Sequence, residues 1–147
     1  MAKSHDPRMH SAEHILNRTM VELIGTGRCF SAHIEKKRSK CDYHFDRDLT
    51  EAETAEIEAR VNDIIRSDLP VIEEFPPRGE AEKEFNLGRL PDGAGDTIRV
   101  IRMGDYDACP CIGDHVSSTG EIGAFRITTT SYEDGVLRLR YKLDQAP

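Results

Sequence analysis

The sequence predicts a single α+β domain in which helices pack against a mostly antiparallel sheet. Two segments carry apolar residues at helical spacing, while several shorter ones show the alternation of apolar and polar residues that strands require. With 147 residues, 37% of them hydrophobic, the chain has the usual size of one domain and can bury one core. No repeat or linker divides it, so we expect one domain over residues 1–147.

The first helix is expected to begin at Asp6-Pro7 and to end at Gly25. Aspartate is a good N-cap, and proline suits the first helical turn. The apolar residues that follow recur at mostly helical spacing: Ala12, Ile15, Leu16, Leu23 and Ile24. Because His10 and His14 are one helical turn apart, they should project from the same face.

The segment from Cys29 to Asp46 predicts two strands around a basic turn. The second of these strands alternates two kinds of residue, Cys41, Tyr43 and Phe45 against Asp42 and His44. A second helix should open at a capping box formed by Thr50 and Glu53 and end before Pro70. Its apolar stripe consists of Ile57, Val61, Ile64 and Ile65.

The last strand, Val136 to Leu143, has the clearest pattern in the chain. Its apolar side chains would face the core and its basic ones the solvent, as in a half-buried antiparallel strand. Between Pro70 and this strand the expected elements are a strand (Val71 to Phe75), a brief polar helix (Gly79 to Gly88), a loop (Asp92 to Asp96), a strand (Thr97 to Arg102), a loop with two cysteines, and a strand (Ala124 to Ser131).

Composition restricts the classes of protein that the chain can belong to. It has no apolar run near 18 residues and no secretory leader pattern, so we expect a soluble, cytoplasmic protein without a membrane partner. Thiols in such a compartment usually stay reduced, so metal binding or burial is the expected use of the four cysteines. These are Cys29, Cys41, Cys109 and Cys111.

The net charge of -7 argues at first against a nucleic-acid partner, because phosphate affinity comes from Lys and Arg. The acidic excess is local, however, since thirteen acidic residues face five basic ones between Asp46 and Glu84. A basic segment from Arg28 to Lys40 carries five cations against Glu35 alone. This segment is either a solvated face or a contact for phosphate groups. The net charge is therefore compatible with a tRNA partner but does not establish one.

Two short motifs carry metal-binding side chains. His10 and His14 can turn both imidazoles toward one cation, and a loop offers a thiolate and a third imidazole from Cys111 and His115. Together they predict a tetrahedral zinc site. Four protein ligands can form a closed structural site, whereas catalysis needs a position for water or substrate, and the sequence leaves both open.

The same residues carry a resemblance to a known family. The segment from His10 to Leu16 (HSAEHIL) resembles the His-x-x-x-His-Leu-Leu opening of the editing domains of alanyl- and threonyl-tRNA synthetases and of the freestanding AlaX proteins. The segment from Cys111 to Phe125 (CIGDHVSSTGEIGAF) is similar to that family's Cys-Gly-Gly-Thr-His-Val and Ser-Thr-Gly-Glu-Ile-Gly motifs. The resemblance also covers the helix from Thr50 to Leu69, and therefore most of the chain.

The resemblance implies an activity, a fold and a set of site residues. It implies a zinc-dependent deacylase of mischarged tRNA, with His10, His14, Cys111 and His115 at the zinc ion. His33, in Ser-Ala-His, looks like a pocket residue of the family, although a partly exposed strand histidine is an equal alternative. The chain starts at the first zinc motif, so it is expected to lack the N-terminal β-barrel domain of longer relatives.

Two residues depart from the alanine-type motif, and they bear on substrate identity. Ile112 stands where the family has its first glycine, and Asp114 stands where it has threonine. Asp114 can accept a hydrogen bond from the substrate amino group, orient a metal ligand or face solvent. Cys109 lies outside the motif and is expected to pack, with a Cys-x-Cys ligand pair as the lesser alternative.

The expected substrate is serine attached to tRNA(Ala). A site that bonds the serine hydroxyl leaves its polar groups unpaired when alanine enters, which discriminates better than the absence of a methyl group does. One rival hypothesis is a zinc-stabilised module that binds tRNA or a synthetase without catalysis. The other is an inverzincin peptidase, because the segment from His10 to His14 also fits His-x-x-Glu-His with Glu13 as general base.

Overall fold

The computed structural model describes residues 6–85 and 97–144, and these form an α+β domain, as predicted. The helices are α1 (Pro7–Thr19), α2 (Glu51–Arg66) and α3 (Arg78–Glu84). The strands are β1 (Ser31–Ile34), β2 (Ser39–His44), β3 (Val71–Glu74), β4 (Val100–Met103), β5 (Asp107–Pro110), β6 (Phe125–Glu133) and β7 (Val136–Leu143). None of the described helices is long and apolar enough to cross a bilayer.

Helix α1 starts where the sequence predicts. The Asp6 side chain accepts a hydrogen bond of 3.1 Å from the Met9 amide, which satisfies one of the free N–H groups of the first turn. A π-helical turn (Met20–Ile24) continues α1 and ends at Gly25, whose φ of 89° favours glycine. The buried face of this helix includes both histidines of the first motif.

Helix α2 opens at the predicted capping box. The Thr50 side chain accepts from the Glu53 amide, and the Glu53 carboxylate accepts from the Thr50 amide. Three positions of the predicted stripe are fully buried, and they pack into the core that α1 also faces: Ile57, Val61 and Ile65.

The larger sheet has the strand order β1-β2-β7-β6 and is antiparallel throughout. Strand β7 lies between two neighbours, and its alternation is as predicted, with Leu137, Leu139 and Tyr141 completely buried. On the other face, Arg138 donates two hydrogen bonds to Asp42 of β2, at 2.7 and 3.0 Å.

The smaller sheet has the order β3-β4-β5, and the prediction for its last strand is wrong. Residues Asp107–Pro110 were expected in a loop, but they pair with β4 through a tight turn at Gly104, whose φ is 50°. Their side chains do not alternate in burial, so the strand has no period-two signature. Pairing with β4 forms it, and helix α1 packs against it.

The predicted polar helix near Gly79 is shorter than expected. It ends at Glu84, because Phe85 has an extended backbone and its amide bonds back to the Ala81 carbonyl. The rest of that predicted helix and the predicted loop from Asp92 to Asp96 lie outside the described residues.

Candidate metal centre

Helix α1 presents its two histidines toward the smaller sheet. His10 and His14 are both buried, and their ring centroids are 5.1 Å apart. The Asp6 cap fixes the start of the helix, and the i to i+4 spacing then places both rings on the same face.

The loop after β5 carries the other motif, and an arginine of the neighbouring segment holds it in place. The Arg99 guanidinium donates to the carbonyls of Cys111 and Gly113, at 2.9 and 2.7 Å, and also bonds Glu73 of β3 at 2.8 Å. The Cys111 amide donates back to the Arg99 carbonyl at 3.1 Å. A side chain at Gly113 would collide with the His10 ring, because its Cβ would lie 2.6 Å from His10 Nδ1.

These elements bring the four predicted metal ligands together. One donor atom of each of His10, His14, Cys111 and His115 lies within 4.8 Å of the others. Cys111 Sγ lies 3.3 Å from His10 Nε2, and the His115 ring centroid is 4.1 Å from that of His10 and 4.4 Å from that of His14.

Hydrogen bonds outside the cluster orient two of the rings. His10 Nδ1 lies 3.1 Å from the Asp114 carbonyl oxygen, which only accepts, so Nδ1 carries the proton and Nε2 keeps its lone pair. The Ser11 hydroxyl lies 2.9 Å from His115 Nδ1 and accepts from the Val116 amide at 3.1 Å. Both contacts use Nδ1, which leaves Nε2 of each ring for the centre of the cluster.

The donor set fits a zinc ion. Within the described part of the chain, His115 Nε2 is a buried side-chain nitrogen without a hydrogen-bond partner, and buried polar atoms are rarely left in that state. Three imidazoles and one cysteine sulfur are ligands that Zn²⁺ prefers. The residues present are therefore compatible with the metal that the motifs predict.

Burial also sets the protonation of these ligands. It lowers the pKa of His14 well below the usual value and that of His115 to about 3, and electrostatic interaction with His10 and Arg99 lowers the His115 pKa further. Both rings are therefore neutral at pH 7, the form that binds metals. Burial raises the pKa of the Cys111 thiol, so a bound cation has to displace its proton.

A buried carboxylate that no sequence motif predicts lies behind His14. Asp107 Oδ2 lies 3.7 Å from His14 Nδ1, and Asp107 accepts hydrogen bonds from Arg28 at 2.8 and 3.3 Å and from Arg18 at 3.2 Å. Its only sequence signal is its position, four residues before Cys111. Arg99 and Ser11 were missed as well, because nothing local marks them.

The other candidate residues lie outside the four-donor cluster. His33 is exposed on β1, where it pairs with Lys40 of β2. The Asp114 side chain is exposed, and only its backbone carbonyl contacts His10. Ile112 is 66% exposed, so the fold accommodates this departure from the glycine motif without strain. The Cys109 thiol donates to the Pro110 carbonyl at 3.4 Å.

The predicted basic segment divides into paired and free cations. Arg28 is bonded to Asp107, and Lys40 Nζ bonds Asp42 at 2.8 Å. The turn between β1 and β2 carries the exposed cations of the segment, Lys36, Lys37 and Arg38.

Comparisons with known proteins identify relatives of this chain. The family model of the threonyl and alanyl tRNA synthetase second additional domain matches residues 98–140. An alanine-tRNA ligase of Cenarchaeum symbiosum is 36% identical over 138 residues, which are 91% of this chain and 15% of that protein. Those of Halorubrum lacusprofundi and Treponema denticola are 38% and 33% identical, over 88% and 92% of this chain and 14% and 23% of their own lengths. The chain thus spans about one seventh of the first relatives that it matches.

Proposed function

We propose that this chain, a relative of the threonyl- and alanyl-tRNA synthetase second additional domain, is a zinc-dependent hydrolase that removes wrongly attached amino acids from tRNA. Homology to that domain supports an editing role related to tRNA. We further propose that its substrate is Ser-tRNA(Ala) and that it acts in the cytoplasm. It also treats residues 1–147 as one editing domain.

One observation carries the proposal, the convergence of His10, His14, Cys111 and His115 within 4.8 Å of one another. These residues come from a helix and from a loop about a hundred positions later. A purely structural role for buried histidines would leave their nitrogens hydrogen-bonded, whereas here His115 Nε2 is buried without a partner.

The bond to be cut is the ester between the amino acid and the terminal ribose of tRNA. Its hydrolysis needs an aligned water molecule and a stabilised oxyanion, and a bound zinc ion supplies either need by lowering the pKa of water or by polarising the carbonyl. The chain's own residues hold the geometry. Ser11 and the Asp114 carbonyl fix two imidazoles, and Arg99 fixes the loop that carries Cys111.

The number of bound protein ligands decides what the metal does. If all four residues held the ion, no position would remain for water or the ester carbonyl, and the centre would position the loop or the substrate. If only three held it, the remaining position would be available to water or to the ester carbonyl. In both cases the proposal gives the exposed Asp114 carboxylate, which precedes His115 in the chain, the role of accepting a hydrogen bond from the substrate amino group.

Two further assignments belong to the proposal. The exposed cations Lys36, Lys37 and Arg38 contact tRNA phosphates, and His33, on the strand that leads into this turn, lines the amino-acid pocket. The peptidase alternative would need Glu13 as its general base. Glu13 Oε2 accepts a hydrogen bond from the Cys29 thiol, and Oε1 lies 3.7 Å from His10 Nε2, so an activity test, and not the position of Glu13, separates the two functions.

The experiment that tests the function is deacylation of a panel of mischarged tRNAs by the zinc-loaded protein. We expect release of serine from Ser-tRNA(Ala), and loss of this activity after chelation of the metal. A zinc-loaded protein that binds tRNA without deacylating any member of the panel would instead be a binding module. A protein that cuts peptides but no aminoacyl ester would be a peptidase.

A further inference from the structure

A second group of metal-binding side chains lies beside the four-donor cluster. Donor atoms of Glu13, Cys29 and Cys41 all lie within 4.8 Å of one another. The three residues come from α1, from the segment before β1 and from β2, so the fold and not local sequence brings them together. Both cysteines are almost fully buried, at 2% and 0% exposure.

The two oxygens of Glu13 face different partners. Oε2 accepts the hydrogen bond from Cys29 Sγ at 3.4 Å, whereas Oε1 lies 3.7 Å from His10 Nε2. The Glu13 side chain is only 14% exposed. The carboxylate therefore lies between the two thiols and the histidine cluster.

We propose that Glu13, Cys29 and Cys41 form a second metal site that takes a thiophilic divalent cation, Zn²⁺ in the first instance. Two thiolates and one carboxylate match the ligand preference of zinc, and three protein ligands leave one tetrahedral position for water. Binding replaces the hydrogen bond between Cys29 and Glu13 and releases one proton from each thiol to solvent, without any oxidation or reduction.

The charge of the deprotonated ligands favours a cation at this site. Once both thiols are deprotonated, the three ligands carry three negative charges in a buried position, and buried charges are paired or bound to metals. Without the ion, a hydrogen bond with Cys29 together with burial raises the pKa of the Cys41 thiol.

Metal counting tests the proposal without reference to tRNA hydrolysis. The reduced chain is incubated with excess Zn²⁺, desalted and analysed for zinc per protein. We expect two equivalents for the wild type, one for Cys29→Ser and for Cys41→Ser, and two for the matched control Cys109→Ser. One equivalent in the folded, reduced wild type, or two in Cys41→Ser, would overturn the second site.

A cobalt experiment covers the case in which the buried substitutions prevent folding. Cys111→Ala removes the single thiol of the histidine cluster and leaves Cys29 and Cys41 in place. This variant, loaded with Co²⁺, should still show the near-ultraviolet charge-transfer absorption of thiolate ligands. Absence of that absorption from the folded variant contradicts the proposal, and neither result depends on whether the protein edits tRNA.

Discussion

His14 and Asp107 face each other across a buried gap, with His14 Nδ1 3.7 Å from Asp107 Oδ2. The Asp107 side chain is completely buried, and Arg18 and Arg28 neutralise it. The carboxylate is thus fixed by two guanidinium groups on one side and oriented toward the imidazole on the other. A carboxylate behind a metal-binding histidine sets the ring orientation and strengthens the ligand.

We therefore expect Asp107→Asn to weaken zinc binding about 10- to 100-fold, because the orienting carboxylate is lost. Competition with a chromophoric chelator measures the affinity. Asp105→Asn is the matched control, since Asp105 is exposed two positions away. Asp107→Asn also leaves Arg28 partly unpaired, so the affinity is compared where thermal unfolding shows that all variants are folded. Equal zinc affinity in the two variants would show that Asp107 does not contribute to metal binding.

The four-donor cluster makes a simpler prediction about metal content. Cys111→Ala and His14→Ala should each lose one equivalent of zinc relative to the wild type, because each substitution removes one of the four donors of this cluster. Metal analysis of the purified variants measures this, with Cys109→Ala as the control for removal of a thiol. Full retention of zinc in Cys111→Ala would refute the cluster as the metal centre.

The parts of this fold that the sequence predicts are those with local signals. The Asp6 cap, the Thr50 and Glu53 capping box and the alternation in β7 each determine a structure within a few residues, and all three occur as predicted. Strand β5 has no such signal, since its formation depends on pairing with β4. Tertiary contacts, and not propensity, determine it.

The same distinction applies to the site. The ligand motifs are visible because zinc ligands recur at fixed short spacings, as in the pair His10 and His14. The groups that orient the ligands are distant in sequence and have no fixed spacing. Asp107 lies behind His14, and Arg99 holds the Cys111 loop, and only the folded chain shows either contact.

The histidine pKa values predict a loss of stability in acid for the metal-free protein. An unfolded histidine binds a proton near pH 6.5, but folded His115 does so only at about pH 3, and His14 is also shifted downward. Between these values the unfolded state binds more protons, so the free energy of unfolding falls as the pH is lowered from 6.5 toward 3. Urea unfolding at several pH values, after a chelator has removed any metal from the protein, measures this free energy.

A variant at one of these positions isolates the effect. His115→Asn should show a shallower decline in the free energy of unfolding than the wild type over the same range. His33→Asn, whose side chain is exposed on β1, should follow the wild type. Identical curves for His115→Asn and the wild type would show that the acid sensitivity comes from other groups.

The exposed turn between β1 and β2 makes a prediction about tRNA binding. Replacing Lys36, Lys37 and Arg38 by alanine should weaken binding and lower the slope of log affinity against log salt by about 2. Adding Lys40→Ala should change little more, because Lys40 already pairs with Asp42. Arg60→Ala with Arg66→Ala, on the acidic helix α2, is the control. If the slope of log affinity against log salt were unchanged in the triple variant, the turn would not contact tRNA phosphates.

The final prediction concerns the choice of amino acid. The protein should deacylate Ser-tRNA(Ala) faster than Ala-tRNA(Ala) by about 10²-fold or more, because a site that bonds the serine hydroxyl leaves its polar groups unpaired with alanine. If Asp114 accepts a hydrogen bond from the substrate amino group, Asp114→Asn should slow deacylation about tenfold with unchanged zinc content. Asp105→Asn serves as its control. The measurements are single-turnover rates and zinc per protein.

The substitution Glu13→Gln distinguishes the proposed tRNA-editing activity from the peptidase alternative. A peptidase with Glu13 as general base would lose its activity, whereas the editing reaction assigns no proton transfer to Glu13, so deacylation should remain measurable in the variant. For the choice of amino acid, hydrolysis of Ser-tRNA(Ala) and Ala-tRNA(Ala) at equal rates would exclude recognition of the serine hydroxyl. An Asp114→Asn variant as fast as the wild type would show that the Asp114 carboxylate does not contact the substrate.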